Sequence, residues 1–135
     1  MLEKTLVIIK PDGVKRGLVG EIIKRYEQKQ LVIKSIKIVN ADYTLLREHY
    51  YEHIGKSYFN ELLNYMMSGP LIAIIWEGEN AIKLARYING DTNIEKAMPG
   101  TIRGDFASNT TYNLVHASDS AESAERELKL WFPEL

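Results

Sequence analysis

The chain alternates short apolar runs with amphipathic stretches, and this alternation predicts its elements. Thr5 to Ile9 is an unbroken apolar strand ending at Lys10, and the Pro11 to Gly17 stretch that follows is turn-rich. Val19, Ile22, Ile23 and Tyr26 recur at helical spacing, so 18–29 reads as an amphipathic helix. Leu31 to Asn40 is β-branched, with lysines at 34 and 37, and predicts a strand with one partly wet face. Stretches 43–53 and 58–67 read as helices separated by Gly55-Lys56-Ser57, and Gly69-Pro70 ends the second. Leu71 to Trp76 is nearly continuous apolar, as expected of a strand covered on both faces.

Stretch 81–88 predicts a further helix, and a long irregular segment from Asp91 to Asn109 follows it; connections of that length in a small domain are usually functional. A last strand over 112–116 leads into a helix capped by Asp119 or Ser120. That helix faces Ala121, Ala124, Leu128 and Trp131 inward, with Glu122–Arg126 and Glu125–Lys129 as solvent-side pairs. Four strands interleaved with helices suit an α+β sandwich of the ferredoxin-like, split βαβ type, with a four-stranded antiparallel sheet covered by helices. Periodicity by itself leaves a parallel α/β sheet open.

The length, 135 residues, predicts a single domain over 1–135, with no linker or internal repeat. Hydrophobic residues make up 45% and charged residues 26%, the composition of an ordinary globular protein. A net charge of -1 implies no general grip on nucleic acid or anionic membrane, so any phosphate site must be a local cluster of cations. The absence of cysteine rules out disulfide and thiolate chemistry and fits a cytoplasmic location. The N-terminal apolar run is too short for a signal peptide or a spanning helix.

His116 is the residue with the most chemistry to offer. The segment Asn113-Leu114-Val115-His116-Ala117-Ser118-Asp119-Ser120 delivers one imidazole from an apolar strand into the opening of a helix, beside backbone N–H groups that favour anions. A satisfied core histidine is the plain alternative for that octapeptide alone. Lys10, Arg86 and Arg103 lie at element ends or in loops, where they can converge on a phosphate, although each alone reads as a surface charge. Gly13, Gly17 and Gly20 match neither the dinucleotide fingerprint nor the Walker pattern and read as turn and packing residues.

Three segments in order, Lys10-Pro11-Asp12, Thr101-Ile102-Arg103-Gly104-Asp105 and Asn113-x-x-His116-x-Ser118-Asp119-Ser120, resemble the nucleoside diphosphate kinase family. The resemblance implies transfer of the γ-phosphoryl group of a nucleoside triphosphate, typically ATP, to nucleoside or deoxynucleoside diphosphates. It implies a ping-pong course through a phosphohistidine at His116. By the same resemblance Lys10, Arg86, Arg103 and Thr92 match phosphate-contacting positions. Asn113 and Lys10 match those that hold the sugar hydroxyl, and Tyr50 one that lines the site. Ser118 and Glu127 match residues that support the histidine. Tyr58 stands where the family commonly has a base-stacking phenylalanine, and an aromatic platform of that kind is worth about 1–3 kcal/mol per base. Ala117 departs from the family's glycine; if that glycine served a positive φ, alanine would cost about 1 kcal/mol. Mg²⁺ is expected to arrive with the nucleotide phosphates, since no carboxylate cage is apparent.

Relatives of this kind look like hexamers or tetramers built from a common dimer. The full-length loop around Pro99 favours the hexamer, and an end at Leu135 implies smaller subunit contacts than in relatives with longer tails. Two other readings compete. His49-Tyr50-Tyr51-Glu52-His53 fits the H-x-x-E-H pattern of a zinc hydrolase, with His49, Glu52 and His53 as the reacting set. A non-catalytic nucleotide-binding module would keep the cations but leave His116 idle.

Overall fold

The computed structural model describes residues 1–135. Its centre is an antiparallel sheet of four strands in the order β2-β3-β1-β4, where β1 is Leu2–Ile9, β2 Val32–Val39, β3 Leu71–Glu79 and β4 Val115–Ala117. β1 pairs with β3 on one side and β4 on the other, and β2 pairs with β3 at the far edge, with a bulge between Ile33 and Ser35. All three pairings are antiparallel, which removes the parallel alternative.

Because side chains alternate across a strand, the two central strands feed two separate cores. Val7, Ile9, Ile72, Ile74, Trp76, Val115 and Ala117 face α2 (Val19–Gln28) and α5 (Ala81–Asn89), whose Ile22, Tyr26, Ala81, Ala85 and Ile88 complete that layer. Leu6, Ile8, Leu71, Ala73 and Ile75 face the opposite way. They meet Leu46 of α3 (Tyr43–His49), Phe59, Leu62, Leu63 and Met66 of α4 (Phe59–Met66) and Trp131 of α7 (Ala121–Trp131). Each fully buried Leu or Ile side chain in these layers contributes about 1.5–3 kcal/mol.

Several elements differ from the sequence expectation, each for a local reason. The turn-rich start after Lys10 closes into a short helix, α1 (Pro11–Lys15), because Pro11 at its first position has the right φ and no N–H to satisfy. The stretch expected as one helix from Tyr43 to His53 stops at His49, and Tyr51–His53 forms a separate 3₁₀ turn. The segment expected to be irregular contains α6 (Ile102–Phe106), capped by Thr101, whose hydroxyl accepts from the Gly104 N–H at 3.0 Å. Gly104 is required there, since a Cβ would lie 1.9 Å from the Met98 carbonyl oxygen.

β3 runs three residues beyond Trp76, because Glu77, Gly78 and Glu79 pair with Lys4, Glu3 and Leu2. β4 begins only at Val115, because Leu114 takes φ 78 and breaks the extended run. Ser120 caps α7, accepting from the Ser123 N–H. The Glu125–Lys129 pair forms at 3.3 Å, whereas Arg126 turns from Glu122 to the Glu48 and His49 carbonyls, closing the C-terminal end of α3. No helix is long and apolar enough to cross a membrane.

Candidate active site

β4 is an edge strand, and His116 sits at its middle, opposite Ile8 of β1. The Ala121–Trp131 helix returns over this strand and brings Glu127 back to it. His116 Nε2 lies 2.8 Å from Glu127 Oε1, and the Ser118 hydroxyl donates to that same oxygen at 2.8 Å. Glu127 is only 6% exposed, so its carboxylate is committed to these partners. A buried carboxylate accepts hydrogen bonds, which places the imidazole proton on Nε2 and leaves the Nδ1 lone pair free. The ring is itself accessible, its side chain being 20% exposed.

Both carbonyls flanking His116 are held by arginines. Arg86 donates to the Ala117 carbonyl at 3.1 Å, and Arg103 donates to Val115 at 2.6 Å and to Gly90 at 2.7 Å. Arg103 Nε is buried without a partner. Burial, with Arg86 nearby, lowers the Arg103 pKa to about 10, so it stays a cation. Lys10, at the end of β1, donates to Asn113 Oδ1 at 2.9 Å, and its own backbone N–H bonds the Leu114 carbonyl. Desolvation, followed by repulsion from Arg103 and partly offset by Asp12, brings Lys10 down to about 7. A lysine so poised gains its proton most readily when an anion arrives.

Tyr50 is buried beside this group, its hydroxyl has no partner, and burial raises its pKa. Leu114 is the strained residue of the site, its left-handed φ costing about 1–2 kcal/mol for a side chain of this kind. Gly13 lets α1 approach it, since a Cβ there would meet Ile9 at 2.9 Å and the Leu114 carbonyl at 3.3 Å. Ala117 is buried in regular strand against Val7 and is not among the positive-φ residues, so replacing a glycine there carries no left-handed penalty.

The structure thus gathers His116, Ser118, Glu127, Lys10, Asn113, Arg86, Arg103 and Tyr50. Two residues stand apart. Tyr58 is 42% exposed and is anchored by its hydroxyl, 2.5 Å from His53 Nδ1. Thr92 is exposed and, with Arg86, lines a cavity of about 900 Å³ between α2 and the 90–101 segment; none of Lys10, Asn113 and His116 lines it.

His49, Glu52 and His53 do not form a ligand cluster. His49 is buried, with Nδ1 taken by the Trp131 N–H at 3.0 Å, while Glu52 is exposed and accepts from Tyr51. The end of α3 at His49 removes the helical register that the zinc reading needs. The partnership of His49 with Trp131 was not anticipated; its sequence signal is the i, i+4 spacing of Glu127 and Trp131, which sets both on one face of α7.

An imidazole held by a carboxylate, with two arginines and a lysine gathered near it on a split βαβ sheet, is an arrangement suited to moving a phosphoryl group. The family model described as nucleoside diphosphate kinase matches residues 3–135. A relative from Caldanaerobacter subterraneus named nucleoside diphosphate kinase is 63% identical over 134 residues, covering 99% of this chain and 96% of its own. One of that name from Cutibacterium acnes is 52% identical, covering 98% of this chain and 96% of its own. A crystal structure of nucleoside diphosphate kinase from Encephalitozoon cuniculi superposes with a TM-score of 0.94 at 41% identity, covering 96% of this chain and 88% of that one. A nucleoside diphosphate kinase family protein from Babesia bovis gives 0.93 at 46% identity, covering 98% of this chain and 90% of its own. The chain belongs to the nucleoside diphosphate kinase family.

Proposed function

We propose that residues 1–135 form one kinase domain that moves the γ-phosphoryl group of a nucleoside triphosphate, typically ATP, onto nucleoside and deoxynucleoside diphosphates, with His116 as carrier. The observation that carries this reading is the bond of His116 Nε2 to Glu127 Oε1, the carboxylate oxygen that the Ser118 hydroxyl also holds, which presents Nδ1 as the nucleophile. The Nδ1 lone pair attacks the γ-phosphorus. The N–P bond forms as the bridging oxygen leaves with the diphosphate, and Glu127 offsets the positive charge that develops on the ring. A second diphosphate then enters the same pocket and reverses the step, which is ping-pong chemistry.

In this reading Lys10, Arg86, Arg103 and Thr92 hold the phosphates, and the unpartnered Tyr50 hydroxyl is free to donate to one of them. Asn113, paired with Lys10, takes the sugar hydroxyl, and Tyr58 offers its ring to the base. Because a ring face reads no particular base, purine and pyrimidine diphosphates should be used alike. Mg²⁺ supplies charge neutralisation when it is bound with the nucleotide. The chain's one cluster of three candidate ligands, His49, His116 and Glu127, is rich in nitrogen and ill-suited to Mg²⁺, so the ion would be held by the nucleotide rather than by these side chains.

We also assign the protein to the cytoplasm and to a homo-oligomer, a hexamer ahead of a tetramer. Support for association comes from edge strand β2, which leaves Val32, Ile36 and Ile38 exposed. Sedimentation at micromolar concentration tests the assembly, and a lone monomer would contradict it. The activity is tested by incubating the protein with γ-labelled ATP and no acceptor. The label should enter the protein in acid-labile form and leave on addition of any nucleoside diphosphate; a binding module would stay unlabelled.

A further inference from the structure

Helix α7 holds two imidazoles, not one. Glu127 grips His116 and, one turn further on, the Trp131 N–H grips His49, with the two imidazole rings meeting edge to face at 4.6 Å between centroids and 78° between planes. The two grips are opposite in kind. The carboxylate accepts a hydrogen bond from His116 Nε2–H and leaves the Nδ1 lone pair free, whereas an indole N–H only donates, so the His49 nitrogen facing it carries no hydrogen and the other must. The Trp131 bond is the one side-chain hydrogen bond that the His49 ring makes.

We propose that His49 is a positioning residue for His116, fixed by Trp131 as a neutral imidazole with its hydrogen on the nitrogen that Trp131 leaves free, and that in this state it braces the His116 ring with Nδ1 open. The proposal rests on the reading of His116 as the carrier.

Each surrounding element supports the neutral state. Burial, and then the basic groups that face it, His116 in β4, Arg126 in α7, Lys10 at the end of β1 and His53 in the 3₁₀ turn, keep the His49 pKa well below its ordinary value; the Glu127 carboxylate is the one acidic group of the cluster. Two nitrogens and a carboxylate within 4.8 Å of one another also suggest a transition-metal site. The Trp131 bond argues against it, because it leaves His49 with a protonated nitrogen where a metal would need a lone pair.

The test combines ring spectroscopy with kinetics on the full chain. Nitrogen-15 spectra of the wild-type histidines should show His49 as a single tautomer, unprotonated at Nδ1, that does not titrate across the neutral range. A tautomer mixture, or titration, would overturn the proposal. His49→Phe keeps an edge-to-face ring without the N–H. It should slow phosphorylation of His116 by saturating ATP about tenfold or more, the cost of a misplaced reacting group, with KM little changed. His49→Gln, which keeps an N–H, should retain more of the rate. Trp131→Phe should release a second His49 tautomer and lose rate to an intermediate degree. Equal losses in the Phe and Gln variants, or a wild-type rate in His49→Phe, would reduce His49 to packing. If His49→Phe does not fold, the wild-type spectrum and Trp131→Phe decide. Failure of the wild-type protein to label at His116 would instead remove the carrier reading, and the tautomer measurement separates the two failures.

Discussion

The side chains around His116 and those that stand apart from it are built to different standards. Lys10, Arg103 and Glu127 are each less than 8% exposed and hydrogen-bonded to named partners, whereas Tyr58 and Thr92 stand in solvent. The difference teaches where specificity is spent. The chemistry requires fixed charge in a site that excludes water, while a nucleoside of any base requires only a ring face and a few tolerant contacts. The inner region should therefore answer to mutation in the rate of phosphoryl transfer, and the outer region in nucleotide affinity.

The largest effect should come from His116→Ala, which removes the proposed carrier and should abolish both self-labelling and transfer while circular dichroism stays native. Next are Lys10→Ala and Arg103→Ala, which should each cost about 2–4 kcal/mol in transition-state stabilisation, read as kcat/KM. Arg103→Ala should also lower the melting temperature, because the Gly90 and Val115 carbonyls lose their donor. An inner residue whose loss moved only KM would break the comparison.

The third effect is a pH dependence. Lys10 loses its proton at about 7 in the free protein, and a bound phosphate favours the charged form. Nucleotide affinity should therefore fall as pH rises above that value, by up to about tenfold per unit, with protons taken up on binding. Calorimetry in buffers of different ionisation enthalpy measures this uptake, and Lys10→Arg should abolish it. The same shift acts on stability with the opposite sign. A lysine whose folded pKa lies below its unfolded value penalises the fold while protonated, so the Lys10 contribution improves as pH rises from about 7 toward the ordinary lysine value of 10.5.

At the outer region, Tyr58→Ala should weaken nucleotide binding by about 1–3 kcal/mol with little change in the rate at saturation, equally for purines and pyrimidines. Tyr58→Phe keeps the ring and loses only the bond to His53, so it should cost under about 1 kcal/mol. A base preference beyond about a hundredfold in the wild-type protein would mean a hydrogen-bonding contact that the ring face does not supply.

What the sequence made legible follows the same division. The strand-forming runs at Thr5 to Ile9 and Leu71 to Trp76 and the amphipathic helices were readable because period and apolarity are local properties. Their ends were not. β4 starts three residues later than expected because of one φ at Leu114, and α6 lies inside the 91–109 segment, which read as irregular throughout. At the site, residue types and order identified the candidates, including Glu127, but not which nitrogen each histidine offers. That depends on Glu127 and Trp131 arriving from a helix remote in sequence, with donor and acceptor reversed between them.

The account turns on one nitrogen. Phosphorus and nitrogen-15 spectra of the protein phosphorylated by ATP should show a single phosphohistidine, at His116, with phosphorus bonded to Nδ1 and the proton retained on Nε2 toward Glu127. Phosphorus on Nε2, or on any other residue, would contradict the account, because the clamp on Nε2 could not then be what exposes the nucleophile.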